Sequence, residues 1–128
     1  MIGRIACAAA LLALAGPVSL APASPAGERA PSRLLVTARE YSLTLSRPKI
    51  APGRAIVQLY DFGEDPHNLN LRRIGASRAY AIGDVEPGAT GSVELKLRQR
   101  SRYRLWCSIA NHAGLGMVAT LRTKPKRR

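Results

Sequence analysis

Residues Tyr103 to Met117 read YRLWCSIANHAGLGM, and this stretch predicts both a strand and the loop that follows it. The first half alternates, so that Tyr103, Leu105 and Cys107 share one face of an extended segment. The second half spaces Cys107, His112 and Met117 evenly, as C-x4-H-x4-M. The stretch therefore predicts a β-strand whose inward face ends at a cysteine, followed by a loop with an imidazole and a thioether.

The other histidine, His67, lies upstream and is followed directly by Asn68. The chain contains only these 2 histidines, and Met117 is its only methionine besides the initiator. Of the 2 cysteines, Cys7 lies in the N-terminal segment. Two imidazoles, one thiolate and a weak thioether form the ligand set of a blue-copper electron-transfer centre. The sequence therefore predicts one mononuclear copper site.

Simpler interpretations of the same residues remain open at this stage. A buried cysteine or methionine often only fills a core, and a single histidine is often a structural residue. Zinc would also accept two imidazoles and a thiolate, although a methionine ligand is unusual for zinc. Glu64 and Asp65 form the one acidic pair near His67, but no second acid or base accompanies them, and G-x-S-x-G and H-E-x-x-H motifs are absent. We therefore expect no enzymatic activity.

The N-terminus has the pattern of a secretory signal peptide. Arg4 precedes an apolar run, residues 5–15, which is too short to span a bilayer. Residues 21–23 read A-P-A, so we predict a signal peptide at residues 1–23 and an exported protein in the periplasm, the cell wall or the medium. The mature chain would have no integral membrane segment. It would retain only Cys107, so no intramolecular disulfide is possible, and a metal would occupy the lone thiol.

The charge is strongly positive. The sequence contains 20 Lys and Arg residues and 8 Asp and Glu residues, which gives a formal net charge of +12. The basic residues are spread along the chain, which favours a solvated surface over a dedicated anionic partner. No nucleic-acid reader motif is present, so we expect no nucleic-acid binding. We expect a monomer.

Strand-like alternation dominates the remainder of the chain. Residues 24–31 are rich in Pro, Ala and Gly and predict a disordered lead-in, residues 32–123 form the domain, and residues 124–128 are a basic tail. Residues 75–89 contain three glycines and are expected to be a long connection. Seven or eight short strands and no helical period predict an all-β, antiparallel β-sandwich.

These features together resemble a small cupredoxin, the family of plastocyanin, azurin and rusticyanin. The resemblance rests on D-P-H-N at residues 65–68 and on the stretch from Tyr103 to Met117, and it covers most of residues 34–123. It implies a Greek-key sandwich in which four residues bind copper: His67, Cys107 and His112 as equatorial ligands and Met117 as the axial one. It further implies that Asn68, with Ser108 as its partner, ties the two ligand segments together.

The function implied is that of an exported blue-copper protein that passes single electrons to a transient redox partner protein. Electrons would pass through an exposed edge of His112, surrounded by small and apolar residues 113–116. Two alternatives remain: a copper-binding or copper-sequestering module without a redox partner, and a metal-free cupredoxin-like interaction domain.

Overall fold

The computed structural model describes Gly27 and residues 29–127 of the chain. The predicted signal peptide lies outside the described residues, as does part of the predicted lead-in. Within these residues nine strands follow in order: β1 (Ser32–Arg39), β2 (Ser42–Leu45), β3 (Lys49–Ile50), β4 (Gly53–Asp61), β5 (His67–Arg73), β6 (Ala79–Val85), β7 (Thr90–Leu97), β8 (Arg102–Trp106) and β9 (Val118–Thr123). In the part of the chain that the structure describes, no helix has the length and apolarity needed to cross a membrane.

The strands form two packed sheets, which confirms the predicted all-β sandwich. One sheet has the order β2-β1-β4-β7, and the other has the order β3-β9-β8-β5-β6. Both sheets are mixed, because β1 pairs with β4 and β3 pairs with β9 in parallel, where antiparallel pairing was expected. After β2 the chain forms β3 in the second sheet and then returns to the first sheet as β4. Strand β4 lies beside β1 and runs in the same direction.

The expected long connection at residues 75–89 was wrong in part, because Ala79–Val85 forms strand β6. This strand lies at the edge of its sheet and pairs with β5 alone. Only Ile82 and Val85 of this strand are buried. An edge strand with one solvated face and few inward side chains lacks the apolar alternation from which strands are predicted.

The core lies between the sheets and consists of the inward-facing residues of nearly every strand. In β8, Tyr103 and Leu105 are buried, as their alternation predicted, and Cys107 continues the same face. The phenol oxygen of Tyr103 accepts a hydrogen bond from Arg98 N–H at 2.8 Å, which closes the turn before β8. The largest fully buried apolar side chains are Leu34, Leu59, Leu69, Leu71, Leu105, Met117 and Leu121.

The placement of β5 beside β8 determines where the candidate site forms. The two strands are antiparallel, with Asn70 opposite Trp106 and Leu71 opposite Leu105. The start of β5 therefore lies next to the end of β8. Residues just before this register on β5 and just after it on β8 meet at one end of the sandwich.

Candidate metal centre

Three potential metal ligands come together at that end of the sandwich. His67 is the first residue of β5, Cys107 directly follows β8, and His112 lies in the loop between β8 and β9. All three are buried, with His67 and Cys107 at 0% and His112 at 8% exposure. One ligand atom from each lies within 4.8 Å of the other two. The predicted thiolate and both predicted imidazoles therefore occupy one small volume.

The distances indicate that the side chains face each other. Cys107 Sγ lies 3.7 Å from His112 Nδ1. The rings of His67 and His112 meet edge to face, with centroids 5.2 Å apart. Residues 45 positions apart in the chain are thus in direct contact, because one belongs to β5 and the other to the loop that leaves the neighbouring strand.

The loop between β8 and β9, residues 107–117, is held by its own backbone. The carbonyl of His112 accepts hydrogen bonds from the N–H groups of Leu115, at 3.1 Å, and Met117, at 3.0 Å. The N–H of Cys107 donates to the carbonyl of Met117 at 3.2 Å. These bonds close the loop between its two ends, so His112 is fixed although it lies outside any strand.

One nitrogen of His67 is available to bind a metal. His67 Nε2 lies 3.0 Å from Glu40 Oε1, and an ionised carboxylate can only accept a hydrogen bond. Nε2 therefore carries a hydrogen, and in a neutral imidazole Nδ1 then retains its lone pair. Nδ1 is buried and finds no hydrogen-bond partner among the residues the structure describes. Because buried polar atoms are nearly always satisfied, this orphan acceptor beside a thiol and a second imidazole fits a metal ion.

Met117 is fully buried at the end of the same loop. Its backbone is bonded to both His112 and Cys107, so its position is tied to that of two candidate ligands. Gly116, which precedes it, has a φ of +120°, a conformation that favours glycine. A Cβ at Gly116 would also lie only 3.0 Å from the carbonyl oxygen of Tyr41.

Asn68 links the two segments that carry the ligands. Its Oδ1 accepts hydrogen bonds from Ser108 N–H at 2.8 Å and from Ser108 Oγ at 3.2 Å. Its Nδ2 donates to Asp84 on β6 at 2.9 Å. Because Asn68 follows His67 and Ser108 follows Cys107, these bonds set the separation of the two ligand residues.

The sequence interpretation did not include Glu40 and Tyr41, which form the turn between β1 and β2. Tyr41 packs its ring against His112, with centroids 4.9 Å apart. The pKa of Glu40 is lowered from 4.5 to about 2, first by the N–H of Asp65, and also by its own N–H, by the N–H of Glu64 and by His67. No local sequence signal marks these residues, because Glu40 precedes His67 by 27 positions and contacts it only through the fold.

The surface over the centre leaves only a small part of the His112 imidazole exposed. His112 is 8% exposed, whereas Leu115 of the same loop is 50% exposed and Tyr41 is 39% exposed. The ring of Tyr41 packs against that of His112 and contributes to its burial. Glu64 and Asp65 are exposed, and their N–H groups bind Glu40, so they belong to the loop that supports His67.

No protein-family model and no curated protein matches this sequence. Solved structures do match its fold. Reduced auracyanin from the photosynthetic bacterium Roseiflexus castenholzii has a TM-score of 0.60 and 13% identity, covering 76% of this chain and 100% of that one. Auracyanin A, described as a "blue" copper protein, from Chloroflexus aurantiacus has a TM-score of 0.61 and 12% identity, covering 74% and 100%. A multicopper oxidase has a TM-score of 0.56 and 14% identity, covering 76% of this chain and 45% of the oxidase.

These similarities define the class of fold. The chain shares the β-sandwich fold of these two auracyanins over their whole length. The group of His67, Cys107 and His112 lies within that fold. At 12–14% identity the similarity extends to the fold and not to individual residues.

Proposed function

We propose that this chain is a blue-copper protein that carries single electrons, with His67, Cys107 and His112 as the strong ligands and Met117 as the weak axial one. The observation that carries the proposal is the buried, unpartnered Nδ1 of His67 beside Cys107 and His112. The donor set supports copper over zinc, because a thiolate, two imidazoles and a thioether suit copper. Bound copper would supply a one-electron couple, Cu(II)/Cu(I).

The protein's own part is to hold the ligands and exclude water. His67 and Cys107 are fixed by paired strands, and the bonds within residues 107–117 fix His112. Both rings and the thiol are shielded from solvent. Copper in its two oxidation states prefers different geometries, so a centre with little freedom to rearrange favours fast electron transfer. This rigidity supports a role as a carrier and not as an enzyme.

We further propose export. The support is the signal-like sequence of residues 1–23 and the lone Cys107, whose thiol a bound metal would protect in an oxidising compartment. N-terminal sequencing of the protein secreted from cells should find Ser24 as the first residue. A protein that keeps Met1 and stays in the cytoplasm would contradict this part of the proposal.

The main test is the visible spectrum of purified protein after addition of one equivalent of Cu(II). We expect an intense thiolate-to-copper charge-transfer band, which Cys107→Ser abolishes while the fold is retained. Asn111→Ala is the matched control, because Asn111 is an exposed residue of the same loop, and this variant should keep the colour. A colourless wild type with copper fully bound would refute the blue site.

Copper sequestration without a redox partner is the second candidate. The 8% exposure of His112, which lies under Tyr41, favours it. The electron self-exchange rate separates the two roles, because a carrier exchanges electrons rapidly between molecules. A coloured protein with very slow self-exchange would favour sequestration, and a protein that binds no copper would leave only an interaction domain.

A further inference from the structure

One carboxylate oxygen joins the end of β1 to the segment that carries His67. Glu40 Oε1 accepts hydrogen bonds from the N–H groups of Glu64, at 2.8 Å, and Asp65, at 2.9 Å. The same oxygen lies 3.0 Å from His67 Nε2. Hydrogen bonds to an ionised group are stronger than those between neutral groups. The residues before His67 and the ring of His67 are therefore fixed by one charged group.

The neighbouring glycine makes room for this carboxylate. A Cβ at Gly63 would overlap the Glu40 carboxyl group. Gly63 does not have a positive φ, so close approach, and not backbone conformation, requires glycine here. The contact between Glu40 and His67 thus depends on a second residue of the loop between β4 and β5.

The carboxylate is also placed where its charge can act on the centre. The Glu40 side chain is 27% exposed, whereas His67 is fully buried. A negative charge that is partly shielded from water interacts more strongly with a nearby ion than one in bulk solvent. Only the imidazole ring of His67 separates this charge from Nδ1.

We propose that Glu40 is a positioning residue of the metal centre: it holds His67 with hydrogen on Nε2 and the lone pair on Nδ1, and its charge lowers the reduction potential of the bound metal. The first effect follows from the hydrogen bond, since a histidine ligand is oriented by the partner of its other nitrogen. The second follows because a fixed negative charge stabilises Cu(II) more than Cu(I). The second effect rests on the proposed function, and the first does not.

The first experiment uses the metal-free protein. Nitrogen-15 NMR of the His67 ring should find the hydrogen on Nε2 in the wild type and in Glu40→Gln, whose amide oxygen can still accept it. Glu40→Ala should give a mixture of the two tautomers. Gly63→Ala should do the same, because the new methyl displaces the carboxylate. The same single tautomer in all four proteins would overturn the positioning role.

The second experiment measures the reduction potential of the copper-loaded protein. Glu40→Gln keeps the hydrogen bond and removes the charge. We therefore expect the ratio of the Cu(I) affinity to the Cu(II) affinity to rise at least tenfold, which raises the reduction potential by at least 59 mV. Glu64→Gln is the control, because it removes an equal charge from an exposed residue whose side chain has no hydrogen bond to His67 among the described contacts. Equal potentials in the two variants would overturn the charge effect.

The two experiments also separate this inference from the proposed function. If the protein binds no copper, the proposed function fails, and the tautomer in the metal-free protein still decides the role of Glu40. If the protein is blue and the Glu40 variants match the wild type in both experiments, the inference fails alone.

Discussion

Replacement of Asn68 by alanine should loosen the link between the two ligand segments, and its cost follows from the contacts. The variant loses the bond from Ser108 N–H at 2.8 Å, the longer one from Ser108 Oγ at 3.2 Å and the bond that Asn68 Nδ2 donates to Asp84 at 2.9 Å. A net contribution of about 1 kcal/mol for the first and about 0.5 kcal/mol for each of the other two gives about 2 kcal/mol. Ser108 is exposed, so water replaces the lost acceptor and no larger penalty is expected.

Two matched variants separate the contributions. Ser108→Ala loses only the hydroxyl bond, and Asp84→Ala loses only the bond from Asn68 Nδ2, which joins exposed groups. Each should cost about 0.5 kcal/mol. For a domain of this size, thermal unfolding of the metal-free proteins should find the midpoint of Asn68→Ala lowered by roughly 8–16 °C and the midpoints of the two controls by roughly 2–4 °C.

The copper-loaded proteins provide the functional half of the test. Loss of an outer hydrogen-bond partner typically lowers metal affinity 10- to 100-fold, or about 1.4 to 2.8 kcal/mol. Copper stabilises the folded state by an amount that depends on its affinity, so the stabilisation gained on copper addition should fall by the same free energy. The copper-induced rise in the unfolding midpoint should therefore be smaller in this variant. Asn68→Ala with an unchanged copper-induced rise, or with a metal-free stability within about 0.5 kcal/mol of wild type, would refute the argument that this residue couples the segments.

Three further predictions concern the axial ligand, the loop and the charge. Met117→Leu conserves the side-chain volume, so it should lower the free energy of unfolding by less than about 1.5 kcal/mol. The variant should keep the colour and have a higher reduction potential, whereas loss of copper would exclude a weak axial role for Met117. Gly116→Ala should destabilise the protein by about 1–3 kcal/mol because of its positive φ and the nearby Tyr41 carbonyl, whereas Gly83→Ala, with open space and no positive φ, should cost far less in the same melts. Reduction by an anionic reagent should slow as the salt concentration rises, and reduction by a cationic reagent should accelerate, because the screening length falls to about 10 Å at 0.1 M. Equal responses of the two reagents in stopped-flow traces would show that the net charge of +12 does not steer the reaction.

The alternation of apolar residues was sufficient to predict the sandwich and the inward direction of several key side chains. It placed His67 with Leu69 and Cys107 with Leu105, and all four are buried. Period-two patterns are informative where one face of a strand is buried and the other is solvated. They failed at β6, which lies at a sheet edge, and they could not indicate that β1 and β4 pair in parallel, because strand direction depends on where the intervening chain crosses.

The contacts that support the site could not be predicted from the sequence for a different reason. Glu40 is one of 8 acidic residues, and nothing in the pattern distinguishes it from the others at the ends of strands. Its contact with His67 depends on the packing of one sheet over the other. Gly63 likewise looks like an ordinary loop glycine, and its role is apparent only once the carboxylate beside it is seen.

The turn between β1 and β2 therefore has a larger part in the centre than its length indicates. It connects strands of one sheet, whereas His67 begins β5 and Cys107 directly follows β8 of the other sheet. Glu40 binds the ring of His67, and the next residue, Tyr41, packs on the ring of His112. Both imidazoles are thus held from outside by adjacent residues of a segment that is not covalently close to either. Since neither ring can tilt without changing its contact with this turn, the geometry of the site depends on the packing of the two sheets as well as on the ligand loop.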